Sequence, residues 1–271
     1  MHHVFINENE IDLNSKIITI DGDSENYKHL VKSLRIKPGE MVLCSLVPFL
    51  DSFDYRAEVV DVNDVNLSLS IVEKVKGNEL PIDINLYQGI SKSDKLEFII
   101  EKAVELGVKS ITPIATEYCI AKIDDKKSDK KIERYNKISK SAAEQSKRHI
   151  VPMVNEPIDF KQMINNIVSE KCDEKGQKVE IHNLLFYENA AGIVETKEKI
   201  DKIVKNLAAY NGRANKIEIN VIIGPEGGFS EKEIVLAKNS GLDILSLGDR
   251  ILRTETAAIT ALSILMYELS M

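Results

Sequence analysis

Two short segments hold most of the residues that could do chemistry. Five of the 13 glycines fall between Asn220 and Arg250: Gly224, Gly227, Gly228, Gly241 and Gly248. The first segment reads Asn220-Val221-Ile222-Ile223, then Gly224-Pro225-Glu226-Gly227-Gly228-Phe229, then Ser230-Glu231-Lys232-Glu233. Ser230 with Glu233 three residues on is a capping box, so a helix starts there. Glycines between a strand end and a helix start let the backbone approach a ligand closely. The plain alternative is a tight turn that uses glycine only for positive φ. The spacing is neither G-x-G-x-x-G nor G-x-x-x-x-G-K-[ST], which disfavours a dinucleotide or a triphosphate. Glu226 would repel a polyphosphate and suits a ligand with positive charge.

The second segment runs Leu247-Gly248-Asp249-Arg250-Ile251-Leu252-Arg253-Thr254-Glu255-Thr256-Ala257 into an apolar stretch. Two arginines three apart, followed by Thr and Glu at a helix start, make a dense polar cluster beside an apolar helix. Its plain alternative is a capped helix end with solvated arginines. Glu255 in a first turn is also what a helix dipole favours.

The elements that must position these loops come in two styles. Up to about residue 73 the chain reads as short strands: Val4–Ile6, Lys16–Ile20, Met41–Val47, Tyr55–Val62 and Leu67–Val72. Leu67-Ser68-Leu69-Ser70-Ile71 alternates apolar and polar, which suits a half-buried strand. Tyr27 to Arg35 reads as a short helix. Closely spaced strands suggest a small barrel. Residues 74–81 read as a polar linker containing Gly77 and closed by Pro81. From residue 82 strands alternate with helices, which predicts a mainly parallel sheet covered on both faces. The strands expected are 84–90, 111–115, 183–187, 217–224 and 244–247. The helices are one capped by Asp94 with Glu97 and ended at Gly107, one over 129–147, one after Ser230, and one over 254–269.

Composition bounds the function. The 271 residues are 43% hydrophobic and 29% charged, enough for a real core. Three scattered cysteines form neither a disulfide framework nor a C-x-x-C metal pair, so reduced thiols in the cytoplasm and no metal are expected. No signal peptide is apparent, and no apolar stretch reaches the ~20 residues of a membrane helix. The net charge of −7 argues against a protein coated in nucleic acid. The charge is uneven, however: ten basic and five acidic residues lie between Lys122 and Arg148. Lys130, Arg134 and Lys137 share one helix face. Lys28, Lys32, Arg35 and Lys37 form a second basic group. Such patches supply phosphate contacts, although a charge run is also what a solvated face looks like. No histidine stands out as a base: His149 lies in the basic stretch and His182 reads as loop.

The two loops together closely resemble the signature of the ribosomal small-subunit (16S) rRNA uridine N3-methyltransferases, a family of the SPOUT class. The resemblance covers essentially the whole chain. His29-Leu30 with Leu34-Arg35 and Pro38-Gly39 looks like the N-terminal motif. Gln88, Lys92, Lys95, Glu97, Lys102 and Glu105-Leu106-Gly107 look like the central one, and Ala143-Glu144-Gln145-Ser146 with Arg148 and Val151-Pro152 like the next. Two departures stand out: Tyr118 where the family usually has Arg, and Asp249 where Pro is common.

The resemblance implies an α/β protein: an N-terminal PUA-like β-barrel for RNA binding (residues 1–73), then a SPOUT methyltransferase domain with a trefoil knot (82–271). It implies a homodimer, S-adenosylmethionine as methyl donor, and small-subunit ribosomal RNA or the assembled subunit as partner. Ile223, Gly224, Glu226, Gly227 and Gly228 from the first loop would bind the cofactor. So would Leu247, Gly248, Ile251, Leu252, Thr254 and Ala257 from the second. Arg253, Glu255 and Glu226 are the polar groups expected nearest the chemistry. His29, Arg35, Lys92, Arg134 and Arg148 are expected to meet RNA. Rival readings are a SPOUT enzyme acting on a ribose 2′-hydroxyl or a tRNA base, and a non-catalytic ribosome-assembly factor that keeps the fold.

Overall fold

The computed structural model describes residues 1–47, 53–119, 128–169, 172, 176, 179–190, 192–209 and 217–269. The chain forms two compact units, Met1–Glu79 with Ala143–Val151, and Leu80–Ala142 with Pro152–Met271.

The first unit is built on six strands: β1 (His2–Ile6), β2 (Ile11–Asp12), β3 (Ile17–Asp21), β4 (Met41–Leu46), β5 (Phe53–Val62) and β6 (Asn66–Lys76). They make one sheet in the order β1-β4-β5-β6-β3-β2. Only the β1–β4 pair is parallel. Alternation sets which face is inside: Ile18, Ile20, Leu67 and Leu69 are buried together with Val4, Ile6 and Leu30. The short helix starts earlier than its apolar pattern predicts. Ser24 caps α1 (Glu25–Tyr27) by accepting the Tyr27 N–H at 3.0 Å. The helix then continues as a π turn over Lys28–Ser33.

Two boundaries differ from the sequence reading. The expected linker over 74–81 is strand as far as Lys76, paired with Phe53 on β5. Ala143–Val151, which the sequence places in the second domain, belongs to the first unit. Its anchors are buried polar pairs that hydropathy patterns cannot show. Glu79 accepts the backbone N–H groups of His149 at 2.9 Å and Ile150 at 3.2 Å and pairs with Arg148. His149 Nδ1 lies 2.6 Å from Asp54, which also takes the Ser45 hydroxyl; Ser45 in turn bonds His3 at 2.8 Å.

The second unit holds seven parallel strands: β7 (Asp83–Gly89), β8 (Ser110–Ala115), β9 (Met153–Val154), β10 (Ile158–Asp159), β11 (Glu180–Phe186), β12 (Ile217–Ile223) and β13 (Asp243–Leu245). The order is β10-β8-β7-β12-β11-β13, with β9 also on β8. Every residue of β12 is buried, as expected for a central strand covered on both faces. One polar rung crosses four strands. Ser110 donates to Asn85 (2.8 Å), Asn85 to Asn220 (3.1 Å) and Asn220 to Asn183 (2.8 Å), all at paired register positions. A one-residue slip would leave the buried Asn220 amide against apolar neighbours, so the rung fixes register.

Among the described residues, six helices complete this part of the chain: α2 (Ser93–Glu105), α3 (Ser128–Ser146), α4 (Phe160–Val168), α5 (Ile193–Ala209), α6 (Glu231–Asn239) and α7 (Thr254–Leu269). The predicted caps divide. Gly107 ends α2 at φ +92°, and Ser230 and Glu233 form the expected capping box of α6. Asp94, expected to cap α2, instead lies in its first turn, and the N-cap is Lys92 with no side-chain bond. His182 lies on strand β11, not in a loop, and is buried beside Glu180.

Candidate active site

The two loops converge where adjacent strands end. β12, β11 and β13 are neighbours, and the chain leaves each at the same edge, at Ile223, Phe186 and Leu245. In an open parallel sheet this carboxyl edge is where ligands sit. A cavity of about 300 Å³ opens there. Ile223, Gly224, Glu226 and Gly228 wall one side, and Leu247, Gly248, Ile251, Leu252, Arg253, Thr254 and Ala257 the other. Gly227 and Glu255 are not in its wall: Gly227 lies against Tyr118, and Glu255 lies beside Lys95. Gly89, ending β7, lets the first loop pass. A β-carbon there would stand 2.2 Å from the Pro225 nitrogen.

A hydrogen-bond relay ties the loops together. Gln88 Nε2 donates to Thr254 Oγ1 at 2.9 Å, and Thr254 Oγ1 donates to the Gly224 carbonyl at 2.6 Å. Gln88 and Thr254 are both buried, so the relay is strong and costly to break. It holds the start of α7 against the end of β12. Ser246 adds a second brace, bonded to Thr196 on α5 and to Gly248.

The α6 N-terminus is closed. Ser230 Oγ accepts the Glu233 N–H, and Glu233 accepts the Ser230 N–H at 2.8 Å. The other Glu233 oxygen takes the Glu117 N–H at 2.9 Å. A helix start already holding a carboxylate offers no cradle for phosphate.

Charge collects on the α2 side. Lys95 Nζ lies 3.1 Å from Glu226 and 3.8 Å from Glu255. Burial pushes the Glu226 carboxyl up, but its own backbone N–H, Lys95 and the Lys92 backbone N–H outweigh it, so it titrates below the ordinary carboxylate value. Glu226 thus lies beside the α2 N-terminus, where a negative charge is favoured. One Glu255 oxygen, Oε2, is buried without a hydrogen bond among the described residues. Arg253 is exposed and forms no ion pair with any described residue.

The residues expected to meet RNA separate into two groups. His29, Arg35 and Lys92 are exposed. Arg134 is exposed too, with its guanidinium on Glu97 at 2.7 Å. Arg148 is a correction: it is 5% exposed and its charge is held by Glu79, so it cannot reach a phosphate. Lys122, Lys126 and Lys127 lie outside the described residues. Lys95, Gln88, Tyr187 and Glu188 belong to the site or its support but were not among the residues expected to act. Lys95 and Gln88 sat in the central motif without a role. Glu188 follows the end of β11, and only its position after a strand could have flagged it.

The model of the RNA methyltransferase domain family matches residues 78–266. The ribosomal RNA small subunit methyltransferase E of Bacillus subtilis is 34% identical over 247 residues, which are 90% of this chain and 88% of that one. The solved ribosomal RNA small subunit methyltransferase E of Neisseria gonorrhoeae, bound to S-adenosyl methionine, has a TM-score of 0.75 at 27% identity. It covers 98% of this chain and 97% of its own. A Legionella pneumophila structure in complex with the cofactor SAM has a TM-score of 0.74 at 30% identity, covering 98% of both chains. The resemblance carried by the glycine loops thus holds along the chain, which belongs to the RNA methyltransferase family of the ribosomal RNA small subunit methyltransferase E proteins.

Proposed function

We propose that this protein methylates N3 of a uridine in small-subunit ribosomal RNA, with S-adenosylmethionine as donor. The observation that carries the choice of donor is the glycine-lined cavity beside a helix start already filled by its own carboxylate. Such a pocket favours a ligand without phosphate, and its wall sets Glu188 and Glu226 beside Lys95, Arg250 and Arg253, charges of both signs for a ligand that carries both. The Neisseria and Legionella relatives, solved with this cofactor, support the same reading. Backbone groups of Gly224 and Gly228, and of Leu247 and Gly248, would hold the nucleoside, with Ile223, Ile251 and Leu252 as apolar walls.

S-adenosylmethionine supplies an electrophilic methyl group on a sulfonium. The protein's own residues must prepare the acceptor. A uridine N3 carries a proton and has no free lone pair until that proton leaves. A carboxylate at this site, Glu226 in the cavity wall or Glu255 beside Lys95, accepts it. Arg253, exposed and unpaired, stabilises the negative charge that develops on the ring oxygens. Glu226, pinned by Lys95 and the α2 backbone, orients the loop and offsets the positive charge of the donor.

In this reading the first unit is a PUA-like β-barrel whose exposed His29 and Arg35 meet RNA, with Lys92 and Arg134 adding contacts from the second. The second unit carries the trefoil knot that the resemblance implies, and the relay from Gln88 through Thr254 to Gly224 braces one loop against the other. The protein works in the cytoplasm as a homodimer, without a metal. Exposed Phe98 on α2 and Tyr267 on α7, two helices packed together, support a second copy as the cover.

Mass mapping of modified nucleosides on small-subunit RNA, from cells with and without the gene, tests the function. Loss of 3-methyluridine alone is expected. Loss of a ribose methylation or of a tRNA modification would overturn it.

A further inference from the structure

We infer that Tyr118 is an RNA-binding residue, whose ring stacks on the unpaired base next to the nucleotide that enters the cavity. The inference rests on the proposed methyl transfer to a uridine and adds the neighbouring nucleotide to it. Tyr118 follows the end of β8, at the same carboxyl edge of the sheet as the two loops. The first loop reaches it from β12. At the end of β7, Gly89 leaves room for Pro225, and Gly227 then meets the turn that carries Tyr118. A β-carbon on Gly227 would stand 2.8 Å from Tyr118 Cβ and 2.9 Å from its carbonyl oxygen. Glu226 and Gly228, on either side of Gly227, are both in the cavity wall. A single step of chain, ~3.8 Å, thus separates the Tyr118 contact from the wall.

The main chain of Tyr118 is fixed while its ring is free. Thr116 accepts the Cys119 N–H at 3.1 Å, which closes the turn. Glu233 holds the Glu117 N–H at 2.9 Å, and Gly227 packs on the Tyr118 carbonyl. Tyr118 itself is 48% exposed and has no hydrogen bond or ring partner among the described residues. It is not in the cavity wall, so the cofactor pocket does not use it. Exposed Phe53 and Phe98 differ, for each has a lysine over its ring, Lys74 at 4.6 Å and Lys102 at 5.9 Å. A bare ring on a pinned turn loses little freedom when a ligand covers it.

The chemistry of the substrate supplies the occupant. N3 lies on the Watson–Crick edge of uridine, so the acceptor must be unpaired and drawn out of its stack. Its neighbour in the strand then loses one stacking face. An aromatic ring beside the point of entry replaces that face, as in proteins that bind single strands. Such proteins also need cations for the backbone. Arg250 and Arg253 are exposed in the cavity wall, and exposed Lys92 lies beside Glu226. Arg is the family's usual residue at this place, so the ring is this chain's own.

The test is methyl transfer by the full chain to small-subunit particles from cells without the gene. Tyr118→Ala is expected to raise KM for the particle about 5–100-fold, the range for one base stacked on an aromatic ring. The kcat should stay close to wild type. Tyr118→Phe should keep the wild-type KM, and Tyr118→Leu should match alanine, because stacking needs a planar face. The loss should be equal at every salt concentration, since no charge is removed. Cofactor affinity by calorimetry and the melting temperature should stay at wild type in all three variants. An unchanged KM in Tyr118→Ala would overturn the inference. So would weaker cofactor binding in that variant, the mark of a ring that only supports Gly227, or a smaller sedimenting mass, the mark of a ring covered by a second copy. Filter binding of small-subunit RNA reads the same loss without turnover, and mass mapping identifies the methylated atom. The stack can therefore fail while the N3 reading stands, and the reverse.

Discussion

Two polar clusters, one in each unit, are made of similar residues and behave in opposite ways. Around Ala143–Val151, Asp54, Glu79, Arg148 and His149 fill one another's hydrogen-bonding capacity. Arg148 and His149 are 5% and 4% exposed. At the cavity, Arg253 is exposed and unpaired among the described residues, and behind it Glu255 has only the 3.8 Å contact of Lys95 on its buried oxygen. A satisfied cluster spends its charges on holding the chain together. An unsatisfied one keeps them for a ligand. The same residue type, arginine, was expected to meet substrate in both places. What separates them is whether a carboxylate has already claimed the guanidinium.

The comparison can be broken at its strongest point first. Glu255→Gln should lower methyl transfer by roughly 10²–10⁴-fold, with cofactor affinity by calorimetry and the melting temperature close to wild type. Arg253→Ala should behave in the same direction. Near wild-type rates for both would mean that the cavity cluster is structural after all. Glu79→Ala tests the other side. It should cost about 3 kcal/mol in urea denaturation, near the low end for breaking a buried ion pair. It also leaves the His149 and Ile150 N–H groups without their acceptor. Transfer per folded molecule should be little changed.

Acid should find the satisfied cluster too. Burial holds the His3 imidazole below its ordinary value, against the opposing pull of Asp54. The unfolded chain therefore binds a proton here before the folded one does. The stability that this brings is complete above about pH 6.5 and declines as pH falls below it. The slope is at most about 1.4 kcal/mol per pH unit. His3→Gln, which keeps a partner for Ser45, should flatten the decline measured by melting temperature at pH 5, 6 and 7. The smallest effect should come from Arg134→Ala. Its exposed pair with Glu97 contributes under about 1 kcal/mol, so the variant should melt as wild type. RNA affinity should fall, with a shallower salt dependence.

The elements and loops that periodicity and capping control were legible in the sequence. The last helix begins and ends where its apolar run does, at Thr254 and Leu269. The Ser230–Glu233 box and the left-handed Gly107 were written in three or four adjacent residues. Most of the two glycine loops could be read as one cavity because each lies between a strand and a helix. Contacts between distant segments were not legible. Helix α2 begins at Ser93, so Asp94 lies in its first turn despite its local capping pattern, and a carboxylate from the distant loop, Glu226, meets the Lys92 N–H. Arg148 read as a free cation because its partner lies 69 residues earlier. Helices α4 and α5 were not read from the sequence, although Asp159 caps α4 by accepting the Gln162 N–H at 2.7 Å and Phe160, Met163, Ile164 and Ile167 fill the core.

The order of the chain also sets a timetable. β12 lies between β7 and β11, and its Asn220 meets Asn85 across 135 positions. On a ribosome, β7 must wait for its inner neighbour until most of the chain has emerged. The first unit waits as well, because Glu79 and Asp54 receive their partners only with Arg148 and His149. At about 5–20 residues per second, that interval is roughly 4–14 s. During it, Asp54 and Glu79 lack the groups that later bury them. A nascent chain arrested before residue 143 should therefore be far more open to protease in its first unit than one arrested after residue 151.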